Sequence, residues 1–245
     1  MFPFPLDRKK ELIMVIGVIP ARLQSIRFPN KILTPIDEKP MVMHVYDRAR
    51  ESEKLDDVII AIDSNETEEA LKQYKPNIKM THPDHPSGTD RVAEVVKDMD
   101  VDIILNIQGD EPMLDPLIID ELVSCFDDEL VEMATIGSRV IDNSDYLNPN
   151  SVKMMINENG FATSFSREMK DYQIGGYYHH VGIYGYRKDT LFRFTKLDQS
   201  ANEKNSNLEQ LRALDNGIPI KVAMTDYPHR GIDTKEDLKQ IELIK

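Results

Sequence analysis

The chain has 245 residues, enough for one large domain or two small ones, and its 40% hydrophobic content can build a sizeable core. With 43 acidic against 30 basic residues the net charge is -13, which repels a polyanion over most of the surface and argues against nucleic acid as a partner. A small anionic substrate stays compatible, because a few local Arg and Lys side chains can hold it. The lone Cys125 offers neither a disulfide framework nor a cysteine zinc site and fits a reducing compartment. No apolar run approaches the length of a membrane span, and residues 1–10 lack the apolar core of a secretion signal, so a cytoplasmic protein without membrane attachment is expected.

In chain order, Leu12 to Pro20 is a short apolar run suited to a strand buried on both faces, and it leads into a polar loop, Ala21 to Leu33. Pro40 fits a first helical turn, and Met41, Val42, Val45, Tyr46 and Ala49 recur at helical spacing, predicting a helix from about Pro40 to Ser52. Val58 to Ile62 reads as a strand, Glu66 to Tyr74 as a short helix and Lys79 to Thr81 as a further short strand. Ser87-Gly-Thr-Asp90 has the form of a capping box, with Val92, Val95, Val96 and Met99 as the apolar stripe behind it. A loop before a capped helix is a natural anion site. The buried strand Val101 to Asn106 then runs into Ile107-Gln-Gly-Asp-Glu-Pro112, followed by a helix over about Leu117 to Phe126 and a strand over about Val131 to Ile136. This alternation predicts a mostly parallel, Rossmann-like α/β sheet flanked by helices, with right-handed crossovers.

From Val152 the texture changes. Val152 to Ile156, Ala162 to Ser166 and His180 to Tyr186 are strand-like with turns between them, including Asn157-Glu-Asn-Gly160. They predict a smaller antiparallel β subdomain covering one edge of the main sheet, an insertion over 151–200 within one domain spanning 1–245. Ser206-x-x-Glu209 reads as the cap of a helix bearing Leu208, Leu211 and Leu214, with Gly217 as its stop. Ile218 to Ala223 returns as a strand, and Thr234-x-x-Asp237 caps a final helix.

Two groups of residues can carry chemistry. The first loop places Arg22, Ser25, Arg27 and Lys31 at the C-terminal end of a strand, where a phosphate clamp needs fixed cations and donors; Pro29 stiffens the loop and Asn30 tolerates a left-handed turn. Charge counting alone leaves a solvated loop equally open. No G-x-G-x-x-G follows the strand and no G-x-x-x-x-G-K-[ST] occurs, so phosphate would be held by side chains. Asp110 ends the next strand beside Gly109, which permits close approach of a ligand, and Asp233 follows Gly231-Ile232 before a helix cap. Magnesium at phosphates takes one or two such carboxylates. Read singly, each carboxylate has a bland alternative as a turn residue or cap. His179 and His180 would point to opposite faces of a strand.

Beyond these features, the chain resembles the 3-deoxy-manno-octulosonate cytidylyltransferases, the CMP-Kdo synthetases. The resemblance rests on Pro20-Ala-Arg-x-x-Ser-x-Arg-Phe-Pro-x-Lys31, Asp84-His-Pro-Ser-Gly-Thr-Asp-Arg91, Gln108-Gly-Asp-Glu-Pro112, Asn148-Pro-Asn150 before Val152-Lys153, Phe165-Ser-Arg167, His180-x-Gly-Ile-Tyr184, Leu208-Glu-Gln-Leu-Arg212 and Gly231-Ile-Asp-Thr234. It implies attack of the anomeric hydroxyl of Kdo, or a close analogue, on the α-phosphorus of CTP. It further implies that Arg22, Ser25, Arg27 and Lys31 hold the triphosphate, that Ser87, Gly88, Thr89 and Arg91 lie near the nucleotide, and that Asp110 and Asp233 bind Mg2+. Gln108, Arg167, His180, Tyr184, Glu209 and Gln210 match positions that contact the sugar acid, and a homodimer is expected.

Two departures fall on the sugar side: the segment Glu168 to His179 is shorter than usual, and Ser206 stands where many members have a glutamate. They leave another ulosonic acid open, such as an 8-amino derivative or a sialic-type sugar. A non-catalytic nucleotide- or sugar-binding paralogue would be expected to lack one of the two carboxylates, and both are present.

Overall fold

The computed structural model describes residues 13–23, 28–168, 176–228, 231, 232, 234 and 237–239. The first half of the chain runs through β1 (Val15–Ala21), β2 (Pro35–Ile36), β3 (Lys39–Pro40), α1 (Met41–Ala49), β4 (Asp57–Ile62), α2 (Asn65–Leu71), β5 (Ile78–Met80), α3 (Gly88–Val96), β6 (Ile103–Asn106) and α4 (Pro116–Ser124). The second half runs through β7 (Met133–Ser138), α5 (Asn143–Leu147), β8 (Lys153–Ile156), β9 (Ala162–Ser166), β10 (Tyr178–Arg187), α6 (Lys188–Thr195), α7 (Ala201–Ser206), α8 (Gln210–Asp215) and β11 (Ile220–Thr225).

The main sheet has the order β11-β7-β10-β6-β1-β4-β5, with β8 and β9 attached as a hairpin beside β10; β2 and β3 form a separate two-stranded ribbon. Every pairing along the main order is parallel except those of β10, which runs antiparallel to both β6 and β7. The alternation of side chains along β4 shows how both faces are covered. Val58, Ile60 and Ile62 join the cluster under α1 and α4, with Val45, Tyr46, Ile118 and Leu122, whereas Ile59 and Ala61 join the cluster under α3, α6 and α8, with Val92, Val95, Leu191, Phe194 and Ala213. Each large apolar side chain removed from water this way contributes roughly 1.5–3 kcal/mol.

The mostly parallel α/β architecture is as expected, but the antiparallel stretch does not simply cover an edge. β10 lies inside the sheet, and only the β8–β9 hairpin departs from the main order. Its burial explains the placement: Val181, Ile183, Tyr184 and Tyr186 are all buried, the pattern of a strand with neighbours on both edges and helices on both faces. The Asn157–Gly160 turn marks a local hairpin and says nothing of where the following strand goes.

Helix ends follow local chemistry. Ser87 caps α3, its Oγ accepting the Asp90 N–H at 3.2 Å. Asp115 caps α4 with Pro116 at its first position, and the expected continuation to Phe126 is a single 3-10 turn, Cys125–Asp127. Burial pushes the Cys125 thiol up to about 11, in keeping with a packing role. The Ser206-x-x-Glu209 cap is not formed. Ser206 ends α7, and the reciprocal cap belongs to Ser200 and Glu203, a second Ser-x-x-Glu pattern six residues earlier in the same stretch. Gly217, at φ +71, ends α8 in a Schellman arrangement, with the Ile218 N–H on the Ala213 carbonyl and the Gly217 N–H on Leu214. Thr234 and Asp237 exchange the hydrogen bonds expected of their capping box. Among the described residues no helix is long and apolar enough to cross a membrane.

Gly185 in β10 is the tightest point of the sheet, since a Cβ there would lie 2.6 Å from Phe126 Cε2 and 3.0 Å from Leu105 Cδ2. Gly185→Ala is expected to destabilise the protein by about 1–3 kcal/mol through overpacking. An unchanged urea midpoint would show that Phe126 yields without cost.

Candidate functional site

The site lies at the rim where β1, β4 and β6 end and β10 begins. Strand register brings Val18 of β1 and Tyr184 of β10 to either side of Asn106, the last residue of β6. Ligands of open α/β sheets bind outside such strand ends.

On the β1 side, Arg22 is exposed just beyond the strand. Asn30 adopts the left-handed conformation foreseen for it, φ 56 and ψ 26, and starts the short turn Lys31–Leu33. That turn delivers Lys31, whose Nζ lies 2.5 Å from Asp110 Oδ2. Ser25 and Arg27 lie outside the described residues. Asp63, beyond β4, links this loop to the interior: its carboxylate accepts the Leu23 N–H at 3.0 Å and pairs with the Arg91 guanidinium at 3.4 Å. Arg91 is only 2% exposed and also donates to Thr81 Oγ1 at 2.5 Å and to the His82 carbonyl at 3.3 Å. Burial lowers its pKa, with Asp63 opposing and Arg22 adding to the effect. Arg91 is thus a buried strut beneath the rim, while Ser87 and Gly88 remain accessible at the start of α3.

Asp110 sits at a junction of two chain segments, because the Ile232 N–H donates to its backbone carbonyl at 3.0 Å. The residue that follows, Asp233, lies outside the described residues, but the chain leading to it is pinned at Asp110. Neither packing nor backbone conformation requires glycine at 109, where a Cβ would meet Ile19 Cγ2 and the Pro20 carbonyl at an ordinary 3.5 Å. Among the described residues no group of three or more His, Cys, Asp and Glu side chains could hold a metal. Of the two carboxylates that the resemblance gives to a metal, Asp110 is the one described, and a carboxylate oxygen is the donor type a hard ion takes.

On the β10 side the polar residues form one connected set. Gln108 Nε2 donates to Asn106 Oδ1 at 3.4 Å, Asn106 Nδ2 to Thr89 Oγ1 at 3.3 Å, and Thr89 Oγ1 to Glu209 Oε2 at 2.6 Å. Glu209, freed from the capping role its spacing suggested, has a buried Oε1 with no hydrogen-bond partner among the described residues; Arg212 Nη2 stands off at 3.5 Å. Arg212 is itself engaged with both oxygens of Glu203, at 2.9 and 2.6 Å, and lies over the Phe194 ring. Burial raises the Glu209 pKa, while Thr89, Ser87 and Arg212 pull it down. Gln210 is buried in the first turn of α8.

His180 is buried between the rings of Phe165 and Tyr184, at centroid distances of 5.0 and 5.4 Å. Its Nε2 is 3.0 Å from Thr135 Oγ1, which itself donates to the Ile183 carbonyl at 2.9 Å, so the network assigns the proton to Nε2. His179 takes the opposite face, with Ser151. The Arg167 guanidinium donates to the carbonyls of Ser206, Pro149 and Asn207 at 3.2, 3.0 and 3.3 Å, tying the end of β9 to the corner before α8. The buried Lys153 supports it from below through the Arg167 carbonyl at 3.0 Å.

The structure therefore brings Lys31 to Asp110, Gln108 to Glu209 through two intermediates, and His180 to Tyr184. Asn106, Asp63 and Arg212 were not singled out from the sequence as site residues. For Asn106 the signal was an amide closing an otherwise apolar buried run.

Comparison with known proteins gives a consistent result. The family described as Cytidylyltransferase matches residues 16–222. A 3-deoxy-manno-octulosonate cytidylyltransferase of Pelobacter propionicus is 41% identical over 240 residues, covering 91% of this chain and 94% of the relative. One of Solibacter usitatus is 42% identical over 233 residues, covering 93% and 92%. A solved structure of CMP:2-keto-3-deoxy-manno-octonic acid synthetase complexed with CTP is 36% identical and superimposes with a TM-score of 0.88, covering 94% of this chain and 98% of that one.

Because folding raises the Glu209 pKa, its ionisation weakens the folded state as pH climbs from the unfolded carboxyl value through the folded one. Glu209→Gln is expected to melt at a higher temperature than the wild type near neutral pH, with the difference vanishing below about pH 4. The opposite order at neutral pH would mean that the Thr89 and Arg212 contacts outweigh burial.

Proposed function

The chain belongs to the cytidylyltransferase family, and from that premise we infer that it transfers CMP from CTP to 3-deoxy-D-manno-octulosonate, releasing pyrophosphate, in the supply of an activated sugar for lipopolysaccharide or capsule. The observation that carries this reading is coverage. Relatives of that one activity align over more than nine-tenths of both chains, so the phosphate loop and the sugar-side residues are represented together.

In this reading Arg22, Ser25, Arg27 and Lys31 hold the triphosphate, with Ser87 and Gly88 beside the nucleotide and Arg91 stiffening the floor beneath it. Asp110 and Asp233 would hold magnesium. When bound, the ion neutralises phosphate charge and lowers the pKa of a hydroxyl it coordinates. Lys31 stands where the phosphates would meet Asp110, able to move from the carboxylate to a phosphate oxygen. Gln108, Glu209, Gln210, His180 and Tyr184 orient the sugar acid, with Arg167 fixing the corner that carries Glu209. The anomeric oxygen forms its bond to the α-phosphorus as the bond to pyrophosphate breaks, and its proton passes to solvent. Alignment and charge neutralisation carry such a transfer, and no dedicated base is assigned.

The same reading places the enzyme in the cytoplasm as a homodimer. Val140, Leu147 and Met155 are exposed apolar side chains, 37%, 85% and 38%, in the stretch that runs from the end of β7 into β8, and would be covered in a contact between copies. Sedimentation at micromolar concentration should give a dimer, and a monomer there would remove this part.

Purified protein with CTP, Mg2+ and Kdo should release pyrophosphate, and Asp110→Asn should lower the rate by about 100-fold or more. Release with a different ulosonic acid but not with Kdo would replace the sugar and keep the chemistry. Unaltered turnover in Asp110→Asn would sink the metal assignment.

A further inference from the structure

The hydrogen bonds behind the sugar end of the rim have a polarity that the chemistry of the groups dictates. An ionised Glu209 only accepts, so the Thr89 hydroxyl 2.6 Å from Oε2 must donate to it. Thr89 then has only lone pairs to offer Asn106, which turns the Asn106 Nδ2 toward Thr89 at 3.3 Å and its Oδ1 toward Gln108 Nε2 at 3.4 Å. Thr89 and Asn106 are 1% and 2% exposed, so bulk water does not compete for these contacts. Gln108 turns its amide nitrogen toward this chain, which leaves its Oε1 and a second N–H for other partners; Glu209 uses Oε2 and keeps Oε1, a buried atom without a hydrogen-bond partner among the described residues, with Arg212 Nη2 at 3.5 Å.

We propose that Thr89 and Asn106 are positioning residues that set Gln108 and Glu209 as a pair of hydrogen-bond acceptors, so that this end of the site selects the hydroxyl donors of a polyhydroxylated acid. The proposal rests on the sugar-acid reading above and adds an orientation to it. An anionic oxygen beside Glu209 is repelled by its carboxylate, which the Arg212 guanidinium at 3.5 Å offsets only in part because it is already engaged by Glu203, so the carboxylate of the substrate is expected to lie away from Glu209. Thr89 thereby takes a role on the sugar side, although the resemblance groups it with the nucleotide residues.

The test is Thr89→Val, nearly isosteric but without the donor, against Thr89→Ser, which keeps it. Thr89→Val is expected to raise KM for the sugar acid by about tenfold or more, the cost of leaving a buried acceptor unpaired. KM for CTP should stay within about twofold, and Thr89→Ser should restore the sugar value. A second readout is the acid limb of kcat/KM for the sugar acid. It should move to higher pH in Thr89→Val, because the hydroxyl is among the groups holding the Glu209 pKa down. The groups facing Glu209 are Ser87, Thr89 and Asp90 from α3, Tyr184 and Tyr186 from β10, and Arg212 from α8; all but Thr89 are the same in every variant compared.

Should Thr89→Val fail to fold, Asn106→Ser, too short to reach both Thr89 and Gln108, gives the same comparison. A rise in KM for CTP with the sugar value unchanged, or no change in either, overturns the proposal. If wild-type protein turns over no ulosonic acid, the functional reading fails by itself and calorimetric titration with Kdo carries the comparison. Weaker binding by Thr89→Val than by wild type then supports the positioning role, equal binding overturns it, and no binding by wild type overturns both.

Discussion

The site depends on one constraint, the pairing of β6 with a parallel neighbour on one side and an antiparallel neighbour on the other. Beside β1, the end of β6 faces a loop that leaves the same rim, which is how a cation at Lys31 reaches a carboxylate at Asp110. Beside β10 it faces a strand arriving from the opposite direction, which brings His180 and Tyr184 to the rim from a part of the chain far removed in sequence. A single strand end thus borders two different environments, one charged and open, the other polar and buried. In an all-parallel sheet both flanks would offer loops, and the buried half would have no strand to stand on.

That buried half is costly. Groups such as Asn106, Thr89, Glu203 and Arg212 lose water on folding, and each is tolerable only because a partner replaces it. The Glu203 and Arg212 pair shows the required geometry, two charge-assisted contacts from one guanidinium to one carboxylate. Glu209 is the less complete case, with Oε2 hydrogen-bonded to Thr89 and Oε1 held only by the Arg212 guanidinium at 3.5 Å.

Much of this was legible in the residues. The strand at 58–62 follows from an apolar, β-branched run, and the α3 cap from Ser87 and Asp90, because these depend on local spacing alone. The position of β10 was not, since periodicity reports that a strand is buried on both faces but not which strands flank it. Glu209 was misread for a related reason: two Ser-x-x-Glu patterns occur in one polar stretch, and only tertiary packing decides which one closes a helix. Arg91 was placed near the nucleotide only through the resemblance, and its burial against Asp63 could not be read from local spacing because Asp63 lies on a different part of the chain, beyond β4. Arg22, Lys31 and Asp110 were singled out as charged residues at predicted strand ends, and the structure brings Lys31 to Asp110 at that rim.

The place of β10 also bears on the order of assembly. β6 and β7 are separated in the sheet by the width of one strand, and the strand that fills the gap is made only after both of them, together with the β8–β9 hairpin, have been synthesised. Until residues 178–187 arrive, β7 lacks the neighbour that connects it to the first half of the sheet, and the β6 edge that will pair with β10 is an open row of unpaired backbone groups. The β1, β4, β5 and β6 part of the sheet can therefore take shape on the ribosome before the rest exists. Insertion of one late, non-local strand joins the two, and such distant pairings are slow to form and exposed to mispairing while they wait.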